Sequence, residues 1–192
     1  RADPRGLGFR LEERTGRAGI ADPNAGMGIA AADYSGDGRP DLLVTNSHKQ
    51  LHAVFRSAPA AGGTPTFTDA RSDIATAFDT GLAGWGASWV DLDNDGNLDL
   101  LLESVMSGSR LVWYLDSVRF RFQASPSPPT VDPIWKIRAI ADYSGDGRPD
   151  IIWQHVVSGG LYYWQMNGVE LAAHGYLWTP AVNPIWTIVG PR

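Results

Sequence analysis

Three nine-residue windows rich in aspartate recur along this 192-residue chain and limit what it can fold into. Their first aspartates are 58 and 51 residues apart, and a Pro-Ile-Trp run at 133–135 recurs at 184–186. Recurrence at a period near 50 residues indicates a tandem array of three units with part of a fourth. The windows read Asp33-Tyr-Ser-Gly-Asp-Gly-Arg-Pro-Asp41, Asp91-Leu-Asp-Asn-Asp-Gly-Asn-Leu-Asp99 and Asp142-Tyr-Ser-Gly-Asp-Gly-Arg-Pro-Asp150.

Short β-rich runs separated by Gly, Pro, Asn and Ser make up each unit. Such runs are typical of strands rather than helices. In the third unit the expected strands cover residues 137–141, 151–155, 161–166 and roughly 169–173. Four short strands at this period predict an all-β fold, a β-propeller with four-stranded blades and about 3.5 blades per chain. An open β-solenoid is the structural alternative, although its repeats are usually shorter.

Each window follows the pattern Asp-x-[Asp/Ser]-x-Asp-Gly-x-x-Asp. Oxygen-bearing side chains at positions 1, 3, 5 and 9 can converge on one centre with the carbonyl of position 7, and the glycine at position 6 permits a sharp turn, as in EF-hand loops. Hard oxygen donors without His or Cys favour Ca²⁺ over zinc or copper. The windows therefore predict three calcium loops, at 33–41, 91–99 and 142–150.

Four side chains and one backbone oxygen, that of position 7, are the predicted ligands in each loop. The middle loop offers four carboxylates and the outer loops three each, so we expect the middle site to bind Ca²⁺ most tightly. Because the last aspartate of each loop opens the next strand, the ion would hold two strands together. The predicted ligands are Asp33, Ser35, Asp37, Arg39 (backbone), Asp41, Asp91, Asp93, Asp95, Asn97 (backbone), Asp99, Asp142, Ser144, Asp146, Arg148 (backbone) and Asp150.

Composition excludes several classes of protein. The net charge of -5 comes without a basic stripe, which argues against nucleic-acid binding. No apolar run approaches the roughly 18–20 residues needed to cross a bilayer, so we expect no membrane insertion. The absence of Cys excludes a disulfide scaffold, a thiolate zinc site and a cysteine nucleophile. Of the 21 acidic residues, 17 are Asp and 10 of these lie in the three windows, which again directs attention to the loops.

These motifs resemble the FG-GAP or VCBS repeats of integrin-α-like propellers, over residues 9–192, which leaves 1–8 as an N-terminal extension. Gly26-Met-Gly-Ile-Ala-Ala-Ala-Asp33 and Gly84-Trp-Gly-Ala-Ser-Trp-Val-Asp91 are similar to units of bacterial exported proteins that carry an ASPIC/UnbV region. Asp132-Pro-Ile-Trp135 and Leu161-Tyr-Tyr-Trp-Gln-Met-Asn167 are similar to Trp-rich tandem VCBS repeats. The resemblance implies calcium-bearing blades in a secreted or periplasmic bacterial protein that serves adhesion or carbohydrate binding.

The blade count differs from that of the family, since integrin-like propellers usually have seven blades. A closed ring needs at least four blades, and open sheet edges with apolar faces invite association. We hypothesise that two chains complete one ring as a homodimer, with the strand near Phe9 and the strand at Ile185 meeting a partner. The alternative is that the sequence is a fragment of a longer chain.

The sequence carries no catalytic signature: it has no Gly-x-Ser-x-Gly elbow, phosphate-binding loop or His-Glu-x-x-His motif. Most of the 8 Trp are expected between blades, where buried aromatic rings stabilise a core. Trp178, Trp164 and Trp153 are the candidates for stacking on a ligand, and Trp178 comes first because its segment reads as a loop. Glu103 follows the second strand of the second unit and could project into a cleft, but we expect a solvated side chain.

Three functions remain open at this point. The first is a calcium-stabilised extracellular module that binds carbohydrate or protein. The second is a hydrolase of phosphoester or ester bonds that uses Ca²⁺ as a Lewis acid with a nearby His or Asp as base. The third is a structural element of an assembly.

Overall fold

A computed structural model describes residues 12–47, 49–61, 64–74, 86–104, 107–177, 183 and 185–187. Within these ranges the chain forms twelve strands and two four-residue helices. The helices are too short to span a membrane, and no other described segment is helical enough to do so. In chain order the elements are α1 (Thr15–Ala18), β1 (Gly26–Ala32), β2 (Asp41–Asn46), β3 (Ala53–Ala61), β4 (Thr64–Asp69), α2 (Arg71–Ile74), β5 (Gly86–Val90), β6 (Asp99–Glu103), β7 (Arg110–Asp116), β8 (Arg119–Ala124), β9 (Trp135–Ala141), β10 (Asp150–His155), β11 (Leu161–Asn167) and β12 (Glu170–Tyr176).

The strands form three four-stranded antiparallel sheets, each a simple meander in chain order. We call them blade 1 (β1–β4), blade 2 (β5–β8) and blade 3 (β9–β12). Each aspartate loop connects the first and second strands of its blade. The predicted all-β fold with four-stranded, blade-like units is therefore confirmed.

Two apolar cores hold the blades together, one between each pair of neighbours. Tyr34 and Leu43 of blade 1 pack with Trp89 and Trp113 of blade 2 in the first core. The second core joins the opposite face of blade 2 to blade 3. Every residue of β6 is consequently buried, because this strand has a neighbouring blade on both sides.

The partial fourth unit is described only at residues 183 and 185–187. The amide of Trp186 donates to the carbonyl of Asn183, just as the amide of Trp135 donates to the carbonyl of Asp132. The amide of Ile185 also donates to the side chain of Asn183, which repeats the Ile134–Asp132 bond. The turn that opens blade 3 thus recurs after it.

The prediction that Glu103 is solvated is wrong. Glu103 is the last residue of β6 and is only 9% exposed. Its Oε1 lies 3.3 Å from Nη2 of Arg110, the residue opposite it on β7. The Arg110 guanidinium lies 4.1 Å from the ring centroid of Trp153 in blade 3. The charged pair of Glu103 and Arg110 thus lies buried between blades 2 and 3, whereas the sequence pattern predicted that Glu103 is exposed to water.

Candidate functional site

The three aspartate loops share one backbone conformation. The glycine at position 6 adopts a left-handed φ in each: 82° at Gly38, 88° at Gly96 and 84° at Gly147. Position 4 is left-handed as well, and there the middle loop has Asn94, at φ 59°, in place of glycine. Such values favour glycine and are tolerated by asparagine, so this composition matches the turn that the pattern predicted.

The first aspartate of each loop organises the turn with its own side chain. Asp33 accepts hydrogen bonds from the amides of Asp37 (2.9 Å) and Gly38 (2.7 Å). Asp91 and Asp142 accept from the amides of positions 5 and 6 in the same way. These bonds fold the loop over the carboxylate of position 1.

The last aspartate of each loop is fully buried and joins the loop to the third strand of its blade. One oxygen accepts from an amide within the loop: Ser35 for Asp41, Leu92 for Asp99 and Ser144 for Asp150. The other oxygen accepts from an amide sixteen residues further on. These donors are Ser57 at 2.7 Å, Leu115 at 3.0 Å and Met166 at 3.1 Å.

The middle loop brings three carboxylates to one point. Oxygens of Asp91, Asp93 and Asp99 all lie within 4.8 Å of one another. Burial, together with the charges of Asp93 and Asp95, raises the pKa of Asp99 to about 6, against hydrogen bonds from two backbone amides that lower it. Close carboxylates of this kind repel one another unless a cation lies between them. The donor set therefore fits Ca²⁺, which prefers such oxygens.

The aspartates at position 5 point to partners near their own loops. Asp37 pairs with the side chain of Arg39, and Asp146 accepts from Gln165 at 3.1 Å. Asp95 accepts from the amide and side chain of Asn97. In the middle loop the carboxylates of positions 1, 3 and 9 therefore lie together, and the carboxylate of Asp95 at position 5 does not belong to this group. The ligand roles of the remaining residues stay predictions.

Neighbouring loops also touch. The side-chain amide of Asn94 donates to the carbonyl of Gly147 over 2.7 Å, which joins the middle loop to the third. The hydroxyl of Ser117, in the β7–β8 turn, donates to the carbonyl of Ser35 over 3.4 Å. The three candidate centres therefore belong to one connected edge of the blade stack.

A second feature is a cleft of about 400 Å³ in blade 3, which we call the aromatic cleft. Trp153 and Trp164 lie at its floor and are 1% and 6% exposed. Two of the three Trp candidates for ligand stacking therefore line one cavity, and Trp178 lies outside the described residues. The lining residues are Pro128, Val131, Trp135, Trp153, Tyr162, Trp164, Leu171, His174 and Tyr176.

A repeat signature is found by comparison with known families. A model of the FG-GAP repeat matches residues 25–54, which run from β1 through the first loop and β2 into β3. The chain carries an FG-GAP repeat. Blades 2 and 3 have the same order of strand, aspartate loop and strand as this FG-GAP repeat. A comparison of the chain with curated proteins finds no match.

Sequence reasoning missed two parts of this site. The sequence predicted that the last aspartate of each loop binds an ion. It did not predict that this aspartate also accepts a hydrogen bond from an amide of the third strand, because a backbone donor leaves no signature in a sequence. It also did not anticipate that Tyr162, His174 and Tyr176 join the tryptophans in one cleft. The alternation along β11 and β12 could have indicated this, since residues two apart share a face of a sheet.

Proposed function

We propose that the chain is a calcium-stabilised extracellular binding module for carbohydrate or protein. The convergence of the Asp91, Asp93 and Asp99 oxygens within 4.8 Å supports the calcium part of this proposal. The common backbone of the three loops extends it to the outer sites, where Ser35 and Ser144 replace one carboxylate. When bound, Ca²⁺ neutralises the loop carboxylates and so stabilises the folded loop. Extracellular calcium modules bind with dissociation constants of roughly 10⁻⁴–10⁻³ M, and millimolar calcium would fill such sites.

The calcium part is tested by thermal unfolding with and without a chelator. Calcium at about ten times the dissociation constant adds about 1.4 kcal/mol at each site. In a domain of this size each kcal/mol shifts the melting temperature by about 2–4 °C. We therefore expect the chelator to lower the melting temperature by several degrees and calorimetric titration to show Ca²⁺ binding.

Variants assign the effect to the middle loop. The double variant Asp91→Asn, Asp93→Asn removes two of the converging carboxylates, and we expect calorimetry to lose one class of Ca²⁺ site. The matched control is Asp116→Asn, because Asp116 is exposed and lies outside the loops. We expect this variant to bind Ca²⁺ in calorimetry as the parent does. An equal melting temperature in calcium and in chelator would refute the proposal. Phosphoester or ester hydrolysis that the chelator abolishes would replace the binding module with a hydrolase.

A further inference from the structure

The aromatic cleft differs from the equivalent surface of blade 2 in a way that points to a ligand. The strand pairs Leu102–Leu111 and Trp113–Gln123 of blade 2 correspond to Trp153–Tyr162 and Trp164–His174 of blade 3, each 51 residues later. Trp113 and Trp164 are the same in the two blades, but blade 2 has two leucines and an amide where blade 3 has Trp153, Tyr162 and His174. This difference alters the chemistry of one face, while the second, third and fourth strands of the two blades pair in the same register.

In blade 2, the surface that is equivalent to the aromatic cleft is covered. Helix α2, between blades 1 and 2, contacts β8, and its Ile74 is 0% exposed within the first core. The connection between blades 2 and 3 corresponds to the segment that contains α2. Its residues Pro128 and Val131 form one wall of the cleft. No other described residue covers this surface of blade 3, and Tyr176 at its rim is 71% exposed.

Aromatic rings form a continuous wall of the cleft. Ring centroids are 5.8 Å apart for Trp135 and Tyr162, 4.8 Å for Tyr162 and Tyr176, and 6.4 Å for Trp135 and Tyr176. The rings are inclined to one another by 54°, 83° and 55°, so each presents its own face, and a sugar ring can stack on one of these faces. The volume falls within the roughly 300–1,000 Å³ of small-molecule sites.

Polar groups are available beside this wall. The hydroxyl of Tyr162 lies 2.5 Å from Nδ1 of His174. With the histidine proton on Nε2, Nδ1 accepts from the tyrosine hydroxyl, which leaves the Nε2–H to donate and the tyrosine oxygen to accept. A ligand with hydroxyl groups around an apolar ring can satisfy both.

The charged residues in and near the aromatic cleft indicate which class of ligand it binds. Among the described residues, those that line the cleft include no Asp, Glu, Lys or Arg. A cationic ligand cannot use the face of Trp153 that the Arg110 guanidinium already occupies, 4.1 Å from the ring centroid. Anionic ligands gain little, because Arg110 is 2% exposed and paired with Glu103. We infer that the aromatic cleft binds an uncharged pyranose ring, an inference that rests on the proposed function as a binding module.

The test screens the parent protein, in calcium, on an array of neutral glycans, sialylated and sulfated glycans and proline-rich peptides. Neutral hits are then titrated by calorimetry as methyl pyranosides. Tyr162→Leu introduces the residue of blade 2, and Trp135→Ala removes part of the wall. We expect each to weaken binding at least about tenfold, as loss of a central contact does. Tyr162→Phe keeps the ring and is expected to lose less.

Phe122→Ala is the matched control, because this half-exposed aromatic residue lies on β8 and does not line the cleft. It should bind as the parent does, and equal melting temperatures ensure that all variants fold. Three results would overturn the inference: unchanged sugar binding in both cleft variants, binding of only charged glycans or proline-rich peptides, or no binding on the array. Binding of a proline-rich peptide would overturn the pyranose inference but would still agree with the proposed binding module. Only the chelator experiment would refute the calcium part of the proposed function.

Discussion

At the scale of single residues, the last aspartate of each loop has a structural role independent of metal. Asp150 is 0% exposed, and both of its oxygens accept amide hydrogen bonds, one from Ser144 and one from Met166. Asp41 and Asp99 repeat this arrangement with the same sixteen-residue separation. Strong hydrogen bonds to a buried charge thus join the loop to the third strand in every blade.

We predict that Asp150→Asn destabilises the protein even without calcium. One carboxylate oxygen becomes an NH₂ group that faces a backbone donor, which leaves that donor unsatisfied. The free energy of unfolding should fall by at least about 2 kcal/mol, measured by urea unfolding in chelator. Asp146→Asn, exposed at position 5 of the same loop, should change it much less. Equal stability of parent and Asp150→Asn in chelator would limit this carboxylate to a role in metal binding.

At the scale of elements, the buried pair of Glu103 and Arg110 joins β6, β7 and the neighbouring blade. Burial lowers the pKa of Arg110 to about 10, although Glu103 opposes the shift. The Arg110 side chain also donates to the carbonyl of Gly108 over 2.9 Å. Blade 3 has Gln154 and Leu161 as the equivalent cross-strand pair, so the same register between second and third strands tolerates an uncharged combination.

We predict that Glu103→Ala lowers the free energy of unfolding by about 3–5 kcal/mol, because it leaves the buried guanidinium without a partner. The double variant Glu103→Gln, Arg110→Leu imports the pair of blade 3 and should recover much of this loss. Chemical unfolding of the parent, Glu103→Gln, Arg110→Leu and the double variant completes the cycle. Additive losses in the double variant would show that the two charges do not depend on each other.

The elements also show how far sequence could predict this molecule. The strands of blade 3 lie within about three residues of the predicted ends, because glycine, proline and aspartate mark the turns. The burial of Glu103 could not be predicted, since its partner is fixed by the register between β6 and β7. The aromatic cleft depends on registers across four strands, which bring Trp135 to Tyr176, 41 residues away.

At the scale of the whole molecule, the two ends of the blade stack differ from its middle. Blade 2 has a partner on both faces, whereas the face of blade 1 away from blade 2 exposes Ile29. Beyond blade 3, Ile185 and Trp186 are 79% and 68% exposed. The carbonyl of Trp186 accepts from Gln154 of blade 3 over 3.0 Å, which places this apolar segment at the opposite end of the stack. Exposed apolar surfaces of this kind favour association.

We predict that two chains associate head to tail at both ends, which a twofold axis would close into one ring. Light scattering at micromolar concentration should then give twice the chain mass of 20.8 kDa. Ile29→Lys places a charge on the exposed face and should shift the population to monomer. Val157→Lys is the matched control, because this residue is equally exposed, at 67%, but lies in the β10–β11 turn. A monomeric parent protein would refute the dimer, since its end blades would then be stable facing water.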